Sequence, residues 1–179
     1  MHAVRFNHLR HHRHCLGASD LEATSARMSA AGAVLFGPAF PILLHAAALR
    51  GASSRERGWI LSELAANAVW LVLVLGVFES SALRYHAAAM TVGQCLTAFF
   101  AVWTVHRGCE PKHFIARTLR GRVVCALTMN MFFHIEHHLF PQVPTCRLPE
   151  LARRLDAVAP ELREMRVFGA RLGARGTPS

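Results

Sequence analysis

The sequence predicts an all-α integral membrane protein, with a transmembrane hairpin, an interfacial helix and a cytoplasmic helical cap that carries clustered histidines. Its hydrophobic content of 53% is high for a soluble domain. Its apolar residues gather in segments of about 20 residues, the length at which a helix crosses a bilayer core. Histidines lie on either side of this apolar region in the same pattern, HxxHH. Together these features favour a helical membrane protein with a polar site outside the bilayer.

The first histidine cluster opens the chain, which begins MHAVRFNHLRHHRHCLG. Positions i, i+3 and i+4 of a helix share one face, so His8, His11 and His12 are expected to project together. A histidine-rich tract can also be a tag or a loose metal-scavenging sequence, and one HxxHH can be a helix end that happens to be histidine-rich. The recurrence of the pattern argues against both, because a second cluster is formed by His134, His137 and His138.

The first apolar segment, residues 30–49, follows the region of the first cluster, residues 1–29. It contains Gly37, Pro38 and Pro41, which interrupt a straight helix in its middle. We therefore predict an interfacial helix here, which lies at the membrane surface or enters it part way.

The next two apolar segments, residues 59–78 and 85–105, are predicted transmembrane helices. Three arginines lie in the linker 50–58, whereas the linker 79–84 has one arginine and one glutamate. The positive-inside rule then predicts that the N-terminus, residues 50–58 and the tail face the cytoplasm. Two crossings satisfy this arrangement, and both histidine clusters come to the same side, as one shared site requires.

Charge and cysteine content narrow the function classes. Lys plus Arg number 20 against 11 acidic residues, so an anionic surface or an acidic partner is favoured. Nucleic acid is not expected as a partner, since no RNP-like, zinc-finger or helix-turn-helix pattern is present. The five cysteines contain no CxxC, so they predict neither a disulfide framework nor a thiolate zinc site and suit a reducing compartment.

The six clustered histidines predict a metal site whose ligands are nearly all nitrogen. Imidazole suits iron, zinc, copper and nickel alike, and spacing does not choose between them. Six histidines exceed the four ligands of a closed zinc site. A centre with two metals uses them better.

The sequence around both clusters resembles a known family. HLRHHRHCLGASDLE, followed much later by NMFFHIEHHLFPQVPTCRLPELARRLD, is similar to the second and third histidine boxes of the membrane fatty acid desaturases, the di-iron desaturases and hydroxylases. The resemblance spans nearly the whole chain and implies a single desaturase-like domain, 1–179, whose cytoplasmic cap is residues 106–179. It also implies two non-haem irons as cofactor, with O2 as co-substrate, and either desaturation or hydroxylation of a lipid chain.

The resemblance assigns residues one by one. The catalytic candidates are the second box, His8, His11 and His12, and the third box, His134, His137 and His138. His106 is similar to a further ligand that the family places before the third box, although a histidine at the membrane interface beside Trp103 would look the same. The metal-ligand set is these seven histidines. The remaining histidines match no box: His2, His14, His45, His86 and His113.

Three polar residues near the boxes have two interpretations each. Asp20 and Glu22 match an acidic pair that commonly follows the second box, and they would orient imidazoles or act as ordinary N-caps. Asn130 would aim at the metals or a bound water, or would be a satisfied helical asparagine.

The family's first box, HxxxH or HxxxxH, is absent from this sequence, because only seven residues precede His8. We interpret the chain as an N-terminally incomplete copy in preference to a degenerate family member.

The expected electron donor is external, because the sequence lacks a Rossmann glycine fingerprint, a CxxCH haem motif and an iron–sulfur cysteine run. A ferredoxin or a cytochrome would suit a basic face, and the other expected partner is a membrane lipid or acyl substrate. Residues 148–168 have helical spacing of apolar and basic residues, so they would lie on the membrane, dock the carrier or form a solvated helix on the cap. The alternatives for function are a carotenoid or sterol-type hydroxylase or ketolase of the same superfamily, and a non-catalytic metal-binding membrane protein.

Overall fold

The computed structural model describes residues 1–111 and 114–167, and the predicted all-α class is confirmed. The chain is 73% helical, and the only pairing of β type among the described residues is an isolated bridge between Thr118 and Arg166. The fold comprises two compact units, Met1–Trp103 and Thr104–Ser179.

The first unit begins with helix α1 (His2–His14) and a loop that folds back on it. Leu16 takes the left-handed backbone conformation, with φ 61°. The Arg27 guanidinium donates to the carbonyls of Leu16 and Gly17 at 2.9 and 2.7 Å. A 3-10 turn, Glu22–Arg27, completes the loop and presents Glu22 to α1.

Helices α2 (Ala30–Phe36) and α3 (Ala39–Gly51) form a broken pair, bent by 61°. The predicted interruption is confirmed, and it falls at Gly37 and Pro38. Gly37 is required there because a Cβ on it would lie 1.9 Å from the backbone oxygen of Cys95. The small residue therefore allows two backbones to approach closely.

Two helices are long and apolar enough to cross a membrane: α4 (Ser54–Gly76) and α5 (Ser81–His106), with mean hydropathy 1.8 and 1.5 over their apolar stretches. Only 11% and 17% of those stretches are buried within the chain, so their apolar side chains face outward, as lipid contact requires. Both helices begin earlier than the apolar segments, because Ser53 and Ser80 cap their first turns. Within α5, a π-helical turn occupies Ala98–Trp103.

Past the end of α5, the described residues of the second unit form three short helices: α6 (Arg122–Leu127), α7 (His134–Leu139) and α8 (Leu148–Val158). The segment 114–120 is not helical, and Thr118 exchanges backbone hydrogen bonds with Met165 and Val167. One face of α7 packs through Ile135 against Ala116 and Leu162, which forms a small apolar core.

The basic segment 148–168 is not one continuous helix. Helix α8 ends at Val158, and a 3-10 turn, Pro160–Met165, follows it. Pro160 disfavours helical geometry at the residue before it, and Ala159 accordingly has φ −140° and ψ 71°. Phe168, the last residue of that prediction, lies outside the described residues.

Candidate metal-binding sites

In the first unit, α1 brings the side chains of His8, His11 and His12 together on one face. The Nε2 atoms of His8 and His12 lie 3.1 Å apart, and the ring centroids of His8 and His11 are 5.9 Å apart. His11 is buried and the other two are half-buried. The cluster is therefore compact and partly exposed.

Carboxylates from the loop after α1 orient two of these rings. His11 Nδ1 lies 2.7 Å from Asp20 Oδ2, and His8 Nδ1 lies 3.1 Å from Glu22 Oε2. A carboxylate can only accept, so each Nδ1 carries the proton and each Nε2 is the atom left to bind a metal. The structure thus supports the orienting interpretation of Asp20 and Glu22.

Asp20 also binds the loop backbone. Its Oδ2 accepts from the N–H of Leu16 at 2.9 Å, and its Oδ1 accepts from the N–H of Ala23 at 3.3 Å. Burial disfavours the charged carboxylate, but the hydrogen bonds from His11 and from the two backbone N–H groups outweigh it and lower the pKa of Asp20. Asp20 therefore holds the ring of His11 and the backbone of the loop at once, while the N-cap of the following turn is Leu21, which makes no side-chain capping bond.

Cys15 is a potential ligand that sequence reasoning did not include. Its Sγ lies 3.9 Å from His11 Nε2, and the ligand atoms of His11, Cys15 and Asp20 all lie within 4.8 Å of one another. The sequence does indicate Cys15 by its spacing, because it follows His11 by four residues, which is one helical turn.

In the second unit, three histidines converge through the same ring atom. His134 Nε2 lies 2.9 Å from His106 Nε2 and 3.1 Å from His138 Nε2. His137 packs beside them, with its ring centroid 5.8 Å from those of His134 and His138. His106 is 1% exposed. Each of these two Nε2–Nε2 distances is the one expected for a pair of ligands on the same metal, because nitrogens bound at 2.0–2.1 Å and at right angles lie about 3 Å apart.

A backbone carbonyl orients His106. Its Nδ1 lies 2.7 Å from the oxygen of Ile115, which can only accept, so the proton sits on Nδ1 and Nε2 is turned toward His134. This arrangement favours the ligand interpretation of His106 over that of a histidine at the membrane interface.

Asn130 does not have the helical environment that one interpretation gave it. It lies in a turn with φ 63°, a left-handed conformation that asparagine tolerates better than most residues. Its backbone N–H donates to the carbonyl of Cys125 at 3.0 Å. The interpretation as a helical asparagine is therefore wrong.

The histidines that match no box lie elsewhere or outside the described residues. His2 binds Glu63, and His45 Nδ1 donates to the Pro41 carbonyl of its own helix at 2.7 Å. His14 and His86 are exposed. His113 lies outside the described part of the chain.

Membrane-length helices and imidazole clusters with metal-ligand spacing together define a class: a helical membrane protein with histidines able to bind a metal. The family model of the fatty acid desaturases matches residues 2–169. The chain therefore belongs to the fatty acid desaturase family. No curated protein and no solved structure matches it. Family membership supports a desaturase-like oxidoreductase role.

Proposed function

We propose that this protein carries out O2-dependent desaturation of a fatty acyl chain, with two non-haem irons ligated by the histidines of both clusters. The observation that carries the proposal is the convergence of the Nε2 atoms of His106, His134 and His138 at 2.9 and 3.1 Å. Family membership supports the reaction type. The proposed ligands are His8, His11, His12, His106, His134, His137 and His138.

The residues fit iron by their chemistry as well as by spacing. Imidazole nitrogens are suitable ligands for iron, and the fixed Nδ1 protons of His8, His11 and His106 leave Nε2 as the donor atom. When bound, iron would supply the activation of O2: removal of two hydrogens from adjacent carbons, with two electrons and two protons from outside, converts one O2 to two waters.

The protein's own contribution is to hold rings and substrate in place. The carboxylates of Asp20 and Glu22 and the carbonyl of Ile115 fix the ligand rings before any metal binds. The outward apolar faces of α4 and α5 offer a surface along which an acyl chain can lie. Fixing the distance between chain and metal would determine which carbon reacts.

We further propose that the histidines lie on the cytoplasmic side and that an external ferredoxin or cytochrome supplies the electrons. The arginine-rich linker 50–58 supports this orientation. The exposed Arg153 on α8 would suit an acidic carrier.

The test is expression of the chain in cells whose lipids lack the product, followed by mass spectrometry of total fatty acids and iron analysis of the purified protein. New double bonds with bound iron would support the proposal. His138→Ala should abolish both, whereas His14→Ala, an exposed histidine on α1, should change neither. Hydroxylated or keto products would indicate the related hydroxylase or ketolase instead. Unchanged lipids and no bound iron would refute the proposal and favour a non-catalytic protein.

A further inference from the structure

A buried carboxylate lies on the reverse side of the helix that carries the third box. Glu136 is fully buried in α7, within the sequence HIEHH. It is two residues from both His134 and His138, or about 200° around the helix, so it points away from their metal-binding face. A buried carboxylate without partners is very unfavourable, so the groups that pair with Glu136 must be held in place by the fold.

Both carboxylate oxygens of Glu136 have partners from one non-helical segment, residues 114–120. Oε1 accepts from Arg120, whose Nε lies at 3.1 Å, and Oε2 accepts from Thr118 Oγ1 at 3.0 Å. Arg120 also donates from Nη1 to both oxygens of Asp156 on α8, at 2.8 and 2.9 Å. The guanidinium side chain is 13% exposed and thus bridges two helices through a largely buried ion pair on each side.

The same segment also orients His106. Ile115 supplies the carbonyl that holds His106 Nδ1, and the N–H of Arg117 donates to the carbonyl of Val105 at 2.7 Å. Residues 115–120 therefore contact the end of α5 at one point and the reverse face of α7 at another. This segment links His106 to the helix that carries His134 and His138.

Helix α7 needs such an anchor because it is short. It has six residues, and Phe133 at its N-terminus makes no side-chain capping bond. An isolated helix of this length is not stable in water, so external contacts must fix its rotation. Ile135 and Glu136 are the buried residues on this side of the helix. Glu136 fixes the rotation more strictly than Ile135, because hydrogen bonds depend on angle whereas apolar packing depends on it less.

We propose that Arg120 is a positioning residue for the metal centre: through Glu136 it fixes the rotation of α7, and so places the Nε2 atoms of His134 and His138 against that of His106. The inference rests on the proposed function, because it concerns the metal that these histidines would hold. Among the described residues, the hydrogen bonds and ion pairs of Arg120 go to Glu136 and Asp156, so it acts on the ligands through Glu136.

The experiment is titration of the purified full chain, in detergent, with Co²⁺ as a spectroscopic probe. Three changes are compared: Arg120→Lys, Glu136→Gln and the double change Arg120→Gln with Glu136→Gln. Lysine keeps the charge but cannot bridge Glu136 and Asp156 as a planar guanidinium does. The double change removes the buried charges of Arg120 and Glu136 together, and Asp156 keeps Arg163 at 3.4 Å, so the helices should stay folded even if a single change unfolds them. The matched control is Arg154→Gln, which breaks the exposed pair with Glu150 on α8.

We expect the three variants to retain the helical circular dichroism of the metal-free protein, to lose about 10- to 100-fold in Co²⁺ affinity and to show an altered ligand-field spectrum. Arg120→Lys should lose least, and Arg154→Gln nothing. A purely structural role would change the unfolding temperature without changing the spectrum of the bound metal. Wild-type affinity and spectrum in the double variant would therefore overturn the inference.

The same titration separates this inference from the proposed function. If wild-type protein binds Co²⁺ and His138→Ala abolishes the binding, normal binding by the Arg120 and Glu136 variants overturns only the positioning role. If wild-type protein binds no Co²⁺, or binds it equally well after His138→Ala, the proposed function fails and this inference fails with it.

Discussion

Removal of the Asp20 carboxylate tests how strongly the loop after α1 organises the first histidine cluster. Its side chain is 1% exposed and accepts three hydrogen bonds, from His11 Nδ1, from the Leu16 N–H and from the Ala23 N–H. Asp20→Ala leaves all three donors without this acceptor. Each unsatisfied buried donor costs about 1–3 kcal/mol, and water can reach half-buried Leu16, so we expect a loss of about 3–5 kcal/mol in the free energy of unfolding.

Asp20→Asn is the matched control for this change. Its one carbonyl oxygen can take the Oδ2 position, which serves His11 and Leu16, while the amide NH2 faces the Ala23 N–H. One hydrogen bond and the charge are then lost, and we expect a cost of about 1–2 kcal/mol. Iron affinity should fall about 10- to 100-fold in Asp20→Ala, because the ring of His11 is no longer held, and less in Asp20→Asn.

The assay is chemical unfolding of the metal-free protein in detergent, paired with iron titration of the folded protein. Because the pKa of Asp20 lies below its ordinary value of 3.8, its contribution to stability is present above that pH and is lost as pH falls through the folded-state pKa. The difference between wild type and Asp20→Ala should therefore be full at pH 6. Equal stability and equal iron affinity of all three proteins at that pH would refute this account of the loop.

Further predictions concern the other cluster, the broken helix pair and the orientation in the membrane. His106→Ala should lower the iron content of the purified protein, measured by elemental analysis, because it removes one of three converging Nε2 atoms. Gly37→Ala should lower the free energy of unfolding, measured by heating, by about 3 kcal/mol, because its Cβ would clash with the Cys95 carbonyl. Gly93→Ala should not lower it, because the Cβ there would lie in open space. Exposed Cys146 should react with a membrane-impermeant maleimide in inside-out vesicles only; labelling in right-side-out vesicles would reverse the proposed orientation.

The helices that cross the membrane could be predicted because length and apolarity alone define them. Their starting residues could not, because Ser53 and Ser80 are polar and fall outside an apolar run, although their side chains cap the first turn. The break between α2 and α3 was predictable from Gly37 and Pro38, whose effects on the backbone are local. The 61° bend itself depends on packing against α5, which no local pattern contains.

The histidine clusters follow from spacing, whereas the groups that surround them are set by tertiary contacts. Glu136 is visible in the sequence as the acidic residue of HIEHH, but its burial against Arg120 joins positions 16 residues apart. The conformation of Asn130 was unpredictable for a related reason. Its left-handed backbone belongs to a turn that separates two short helices, and no local sequence pattern fixes where such a turn falls.

The two clusters differ in the groups that orient their rings, and this difference determines whether a substitution can remove the orienting group. His8 and His11 are held by the side chains of Glu22 and Asp20, whereas His106 is held by a main-chain carbonyl. A side-chain acceptor can be recognised in a sequence and removed by substitution. A carbonyl is present whatever residue occupies position 115, so its effect can be altered only by moving the segment that carries it. Substitution of Arg120, which helps to hold that segment against α7, is therefore the accessible route to the orientation of the second cluster.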